Sequence, residues 1–558
     1  MYCGDETGSF IGEIGSHTCR FGYGGEDNPK LTMSSYIVSE GNNKRRMSRF
    51  SSLHPPRDQE IMESILRMPE GSQDDQPITD PNQYLRQGEV VESWENVQTA
   101  WEHSMEVLHA TDTLKHTQGG TPYERAKKQK RTSASGVSSS TVTSQEKETE
   151  GGRCVHPILA VTPGFSECTS SVVDSKEGDT GSKFQAAIKR QQQTQHIELL
   201  MESLDATSAF LAPAPMLAAF SMGRQTALVV DIGAGGCRVT PVVDGLILKQ
   251  SQRRSGRGGD WLGDVTWRAL LEEAKNEPSS TAIPIKPRYM LQEGTKNQYG
   301  GKKLSSVFHR RAMNDLMYEI RTEPFVTLKT LEEPEKIRLP FYKHQRPTLT
   351  SPSKNGEDGD VAMGSPPGSP QKTTVATLGS PQSINTMGGA GEPTIYELPD
   401  GTPIDLTTST FGRDLCQLPE LLFAEESALP FSNASNSSSN SQTMPTLSNL
   451  PLHKLIRDSL LSVGDVDARK ELAGSICLVG STSLLPNLEK RLSQELTALL
   501  PSFVKPKVIA PKISSVERSC ASWIGASILT SLGSFQQLWL SRTEYEEYGA
   551  SLSIQRFP

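Results

Sequence analysis

Hydrophobic positions along this chain change their period from one stretch to the next. In "TALVVDIGAGGCRVTPVVDG" (226–245) an apolar run stops at Asp231, passes through glycines and returns as a second run of strand character. Short apolar runs bounded by glycine read as strands. "SFIGEIGSHTCRFGY" (9–23) repeats the plan, with Glu13 at the strand end and Gly15-Ser16 in the turn, so two acidic-glycine hairpins lie about 218 residues apart. A third strand, "SICLVG" (475–480), runs into the turn Gly480-Ser481-Thr482 and then a helix.

Elsewhere the period is helical. Trp94, Val97, Trp101, Met105 and Leu108 fall on one face of "SWENVQTAWEHSMEVL" (93–108), which predicts an amphipathic helix. Leu484, Leu488, Leu492, Leu496 and Leu499 predict a second helix. "WIGASILTSLGSFQQLWL" (523–540), a mainly apolar stretch containing Gly525 and Gly533, predicts a third. Strands alternating with helices make this an α/β chain.

Composition changes that picture in one respect. A length of 558 residues allows more than one packed core. The apolar share is only 35%, against roughly 45–50% for globular chains, and mean hydropathy is −0.45. Three segments account for the dilution and are expected to be disordered: 117–150, rich in Ser, Thr, Lys and Glu; 347–393, rich in Pro, Gly and Ser; and 431–449, which contains "SNASNSSSNS". A further polar stretch, 166–182, reads as a loop. Without them roughly 440 residues of ordinary composition remain, as one interrupted fold.

Charge and cysteine use narrow the function classes. The net charge of −8 gives no global reason to expect nucleic-acid binding. Eight scattered cysteines (3, 19, 154, 168, 237, 416, 477, 520) include no CxxC pair, so neither a zinc site nor a disulfide framework is indicated. The start, "MYCGDETGSF", lacks signal-peptide regions, and no run of about 18 apolar residues occurs. A soluble, intracellular protein with no membrane contact is expected.

The hairpins carry the candidate chemistry. Glycines let a turn approach a ligand closely and gather successive N–H groups into an anion-binding concavity. A carboxylate at the strand end can hold Mg²⁺ or its waters. One such hairpin is as well read as a tight turn with no ligand. Two of them, with a third glycine turn after a strand, favour a phosphate site.

This ensemble resembles the actin superfamily, in which two such hairpins clasp phosphates and a strand-turn-helix covers the nucleoside. "GSHTCRFGYGGEDNPK" (15–30), "HPILAVTP" (156–163), "YELPDG" (396–401), "LPELLF" (418–423), "VDARKEL" (466–472) and "ERSCASWIGASILTSLGSFQQLWLSRTEYEEYGASL" (517–552) are similar to actin signatures in order and spacing. The first thirty residues are similar to nuclear actin-related proteins of the actin-related protein 4, or actin-like protein 6, type.

The resemblance implies an actin-like ATPase-domain fold with two lobes, each on a mixed five-stranded sheet, and four subdomains around a nucleotide cleft. It assigns 1–30, 84–221 and 521–558 to subdomain 1, 31–83 to subdomain 2, 222–257 and 430–520 to subdomain 3, and 258–429 to subdomain 4. The implied ligand is ATP, or ADP, with Mg²⁺. Its expected contacts are Glu13, Gly15, Ser16 and Arg20 from the first hairpin, Asp231, Gly233 and Gly235 from the second, and Gly480, Ser481 and Thr482 from the third turn. Glu13 and Asp231 are the expected metal-side carboxylates, acting through water.

Departures from the actin pattern bear on catalysis. Arg20 stands where actins carry a phosphate-binding lysine, and Glu13 where they carry an aspartate. Counted back from Gly223, Ala214 falls where a glutamine positions the attacking water, and Arg238 where a histidine helps order it. Hydrolysis depends on that positioning. Little or no ATPase activity is therefore expected, with nucleotide kept as a structural ligand. The diverged segment 31–83 and the insertions also argue against filaments.

The resemblance further implies a noncatalytic nuclear subunit of chromatin-remodelling and histone-acetyltransferase complexes, paired with actin on a helical segment of the large subunit, with histones or the nucleosome as further contacts. "ERAKKQKR" (124–131) reads either as a nuclear localisation signal or as a solvated charge run, and the Ser-Pro pairs at Ser351, Ser365, Ser369 and Ser380 either as phosphorylation sites or as linker composition. The alternative from another class is an active, filament-forming actin-type ATPase.

Overall fold

In a computed structural model the described residues are 8–40, 44–47, 60–66, 91–110, 156–163, 190–276, 286–287, 306–332, 337, 339–341, 394–398, 401, 403–407, 409–430, 450–511 and 514–557. The three insertions expected to be disordered, the 166–182 loop, the basic cluster at 124–131 and the Ser-Pro pairs lie outside them.

The short apolar runs become strands, as their glycine boundaries predict. β1 (Phe10–Ile14) and β2 (Thr18–Tyr23) form an antiparallel hairpin, and β3 (Leu31–Ser34) continues from β2. β4 (Tyr36–Glu40), β5 (Lys44–Met47) and β6 (Glu60–Ser64) make a small separate sheet. β7 (Ile158–Thr162), the "HPILAVTP" stretch, and β8 (Ser208–Pro213) extend the first sheet from β1 in parallel. The second sheet is built on the hairpin of β9 (Ala227–Ile232) and β10 (Cys237–Val243), with β11 (Leu246–Ile247) and β12 (Arg253–Ser255) both on the outer edge of β10. β13 (Ile395–Glu397) and β14 (Pro403–Asp405) form a lone hairpin around "YELPDG". β15 (Ile476–Val479) and β16 (Val508–Ile509) complete the second sheet in parallel, and β17 (Leu540–Ser541) pairs with β8.

Each large sheet therefore has six strands rather than the expected five. The additions are a two-residue edge strand on β8 and a three-residue strand on β10, whose seven residues have room for two short neighbours. Strands this short carry no readable period.

Helix α1 (Trp94–Val107) covers one face of the first sheet, where Phe10, Phe21 and Trp101 interlock with no exposed area. Helix α2 (Ala214–Ser221) sits between the sheets. Leu217 joins Ile11, Leu159 and Trp523 on the first sheet, whereas Ala218 and Ala219 join Val229, Val479 and Ala521 on the second. Helix α3 (Gly259–Asn276) packs on α4 (Ser306–Thr322), and α4 reaches the small sheet by placing Phe308 and Ala312 against Tyr36 and Met62.

Two helix expectations need correction. The leucine stripe is split: α5 (Leu488–Leu499) buries Leu488, Leu492 and Leu496, while Leu484 ends a separate tight turn and Leu500, not Leu499, closes the core side. The C-terminal apolar block is not one helix. α6 (Ala521–Thr530) stops where the hydroxyls of Thr530 and Ser531 bond back to the carbonyls of Ala526 and Ser527, and a short turn (Gly533–Gln537) follows.

Helices α2 and α6 touch at Gly525. A Cβ there would lie 1.9 Å from the Leu217 carbonyl oxygen, whereas one at Gly533 would meet nothing within 4 Å. We therefore expect Gly525→Ala to destabilise by about 1–3 kcal/mol, or more if α2 cannot shift. Gly533→Ala should leave the thermal midpoint nearly unchanged. Differential scanning fluorimetry of the two variants checks this, and equal midpoints would contradict the close approach.

Candidate functional site

The two hairpins have the same local construction. Residues directly opposite in an antiparallel pair project from the same face, and the registers set Glu13 against Arg20 and Asp231 against Arg238. Arg20 Nη1 donates to Glu13 Oε2 at 3.0 Å, with both side chains 15% exposed. Arg238 Nη1 stands 4.0 Å from Asp231 Oδ2. Each acidic strand end thus carries its own counter-charge.

The turns match as well. The Gly15 N–H closes the first by donating to the Thr18 carbonyl, and the Gly233 N–H closes the second by donating to that of Gly236, both at 3.0 Å. In each, the glycine carbonyl is held from outside by a hydroxyl: Ser35 Oγ donates to Gly15 O at 2.5 Å, and Thr482 Oγ1 to Gly233 O at 3.2 Å. In the second turn the N–H groups of Gly259 and Asp260, at the start of α3, also donate to the carbonyls of Gly233 and Ala234 at 2.9 Å each.

A trans peptide points its N–H opposite to its carbonyl. With those carbonyls drawn outward, the N–H groups of Ser16, Ala234 and Gly235 are turned the other way, and all three residues line the space between the hairpins. Successive N–H groups aimed into one concavity form an anion nest.

That space is a cleft of about 110 Å³ at the carboxyl ends of the parallel strands of both sheets, where open α/β sheets bind ligands. Glu13, Gly15, Ser16, Arg20, Asp231, Gly233, Gly235, Gly480 and Ser481 all line it, with Ala214 and Arg238. Gly480 has φ +90°, and a Cβ there would lie 2.5 Å from Ile232 O and 2.6 Å from Asp231 Oδ1, so only glycine serves at this junction. Thr482 does not line the cleft. It is 2% exposed and holds the second turn.

Three groups escaped the sequence reading. Arg518, the second residue of the C-terminal block (517–552), lines the cleft and donates to the Ser483 carbonyl. Ser35 holds the first turn. Helix α4 reaches the first turn: Arg311 Nη2 lies 3.3 Å from His17 Nδ1, Asp315 Oδ1 lies 3.6 Å from His17 Nε2, and the Arg311 guanidinium lies 5.0 Å over the Tyr36 ring. Only the serine following "GSH" by about twenty residues and the lone basic residue in "VERSCAS" hinted at the first two.

Burial shapes the electrostatics. It pushes the Asp231 carboxyl above the usual carboxylate range, opposed by Arg238 and Arg20. Burial alone would lower the Arg20 pKa, but Glu13 and the neighbouring thiols outweigh it and the net shift is upward. His17 is pushed down by burial, against its bond to Asp315.

The model of the family described as Actin matches residues 4–558. The chain belongs to the actin family. Among the relatives it matches, actin-related protein 4 of Emericella nidulans is 28% identical over 100% of this chain and 97% of the relative. Actin-related protein 4 of Arabidopsis thaliana is 26% identical with both proteins fully covered, and that of Neurospora crassa 25% identical over 100% of this chain and 96% of the relative. Membership of the actin family carries nucleotide binding as a general property.

Behind this actin-family cleft lies a second cavity of about 80 Å³, which shares Ile14, Val161, Thr162 and Pro163 with it. His196 faces this cavity 5.5 Å from the Trp94 ring, its Nε2 buried with no hydrogen-bond partner among the described residues. Burial lowers its pKa from 6.5 to about 4. The unfolded chain binds that proton more tightly, so the stability at stake is complete above about pH 6.5 and is lost as the pH falls toward 4. We expect His196→Gln to narrow the drop in melting temperature between about pH 7.5 and pH 5. An unchanged drop would contradict the assignment.

Proposed function

We propose that this actin-family protein holds ATP or ADP as a structural ligand, with little or no hydrolysis, and serves as a noncatalytic nuclear scaffold subunit of chromatin-remodelling and histone-acetyltransferase complexes. In that role it pairs with actin on a helical segment of the large subunit, with histones or the nucleosome as further contacts, and does not form filaments. Its full-length similarity to actin-related proteins 4 supports this, as does the likeness of its first thirty residues to nuclear members of the family.

The observation that carries the noncatalytic part is the pair Ala214 and Arg238. Both line the cleft. Ala214 opens α2 with a methyl group where a water-positioning amide is needed, and Arg238 stands across the sheet from Asp231 as its counter-ion. A guanidinium stays protonated and cannot act as a base. Transition-state charge could still be stabilised, but neither Ala214 nor Arg238 supplies the neutral polar group that orients the attacking water.

Bound ligand would stabilise the two-sheet body by mass action. The test is to purify the protein from nuclei, release and identify its nucleotide, and measure phosphate release and sedimentation in polymerising salt. A retained adenine nucleotide, phosphate release at background level and no pelleting are expected, with a remodelling or acetyltransferase subunit and actin in the purified complex. Robust turnover or pelleting would overturn the scaffold reading in favour of a filament-forming ATPase.

A further inference from the structure

Mg²⁺ is the ion that phosphate chemistry usually recruits, and it demands near-octahedral oxygen ligands, including carboxylates free to accept its waters. The carboxylates in this cleft do not meet that description. Glu13 is bonded to Arg20 at 3.0 Å on a mostly buried face, and Asp231 lies 4.0 Å from Arg238. With Arg518 on the same wall, the cleft holds three guanidiniums against two carboxylates. The site is therefore net cationic before any ligand arrives, and a divalent cation placed beside Glu13 or Asp231 would be repelled by the arginine already there.

The same arrangement suits a naked polyphosphate. Guanidiniums present planar, paired donors that match phosphate oxygens, and the outward-held carbonyls of Gly15, Gly233 and Ala234 leave N–H groups facing the same space. A net positive charge and the hydrogen-bond donors both come from the chain. We propose that this site binds its nucleotide without an obligatory divalent cation, Arg20 and Arg238 doing the electrostatic work usually left to Mg²⁺. This inference rests on the nucleotide reading above.

The experiment uses the full chain stripped of nucleotide and titrated with ATP, once with magnesium and once with excess EDTA, by calorimetry. The two affinities should agree within about threefold, because the charge-assisted contacts are the protein's own. A loss of about tenfold or more on chelation would overturn the inference while leaving nucleotide binding intact. Absence of binding in both buffers would instead remove the nucleotide reading and this inference with it.

Arg20→Ala supplies a second readout. Freeing Glu13 should lower the affinity in EDTA by about tenfold, with magnesium restoring part of it, whereas Arg20→Lys should stay close to wild type in EDTA. An Arg20→Ala protein that retains the wild-type melting temperature but shows wild-type affinity in EDTA would also overturn the inference.

Discussion

The antiparallel register is the constraint on which the rest depends. By setting an acidic side chain across from an arginine in both hairpins, it fixes the charge of each strand end before any ligand binds. A slip of one residue in either hairpin would carry one member of the pair to the opposite face and so separate the acid from its arginine. The hydroxyls of Ser35 and Thr482 act on that framework, holding one glycine carbonyl each and so deciding which way the turn amides point. Helices α2 and α6 then hold the two sheets at the separation where the turns face one another.

From this follows a separation between gripping phosphates and cleaving them. Gripping needs oriented N–H groups and positive charge, which the turns and Arg20, Arg238 and Arg518 supply. Cleaving needs an ordered water, and the cleft offers Ala214 and a permanently protonated arginine where the family's chemistry asks for neutral polar groups. The same substitution that strengthens the electrostatic grip at Arg238 removes a group that could order water. On the function proposed above, retention and turnover are set by different residues, this chain keeping the first set.

The elements that shape the cleft were legible in the sequence because their signals are local. An apolar run, an acid and a glycine turn specify a hairpin wherever it sits, and of the ten contacts that the actin resemblance implies on these hairpins and the third turn, nine line the cleft. Thr482 was the exception, since its hydroxyl turned to the neighbouring loop rather than to the ligand space. Ser35 and Arg518 act on residues that the chain fold, not the local pattern, brings to them. Helix α4 lies far from the hairpins in sequence, yet it places Arg311 and Asp315 on His17, some 290 residues earlier in the chain. The β12 and β17 edge strands and the end of α6 at Thr530 were invisible for a related reason, because two or three residues of pairing or one back-bonded hydroxyl leave no period to read.

The central claim is that a clasp made by both hairpins grips the terminal phosphates. The most direct measurement is the affinity series for ATP, ADP, AMP and adenosine on the nucleotide-free protein. A clasp of this kind predicts that affinity falls from ATP to ADP to AMP, by about tenfold or more for each gripped phosphate lost, with adenosine weakest, because a hydrogen bond to a charged group contributes about 1.5–3 kcal/mol net. Equal affinity for ATP and adenosine would contradict it.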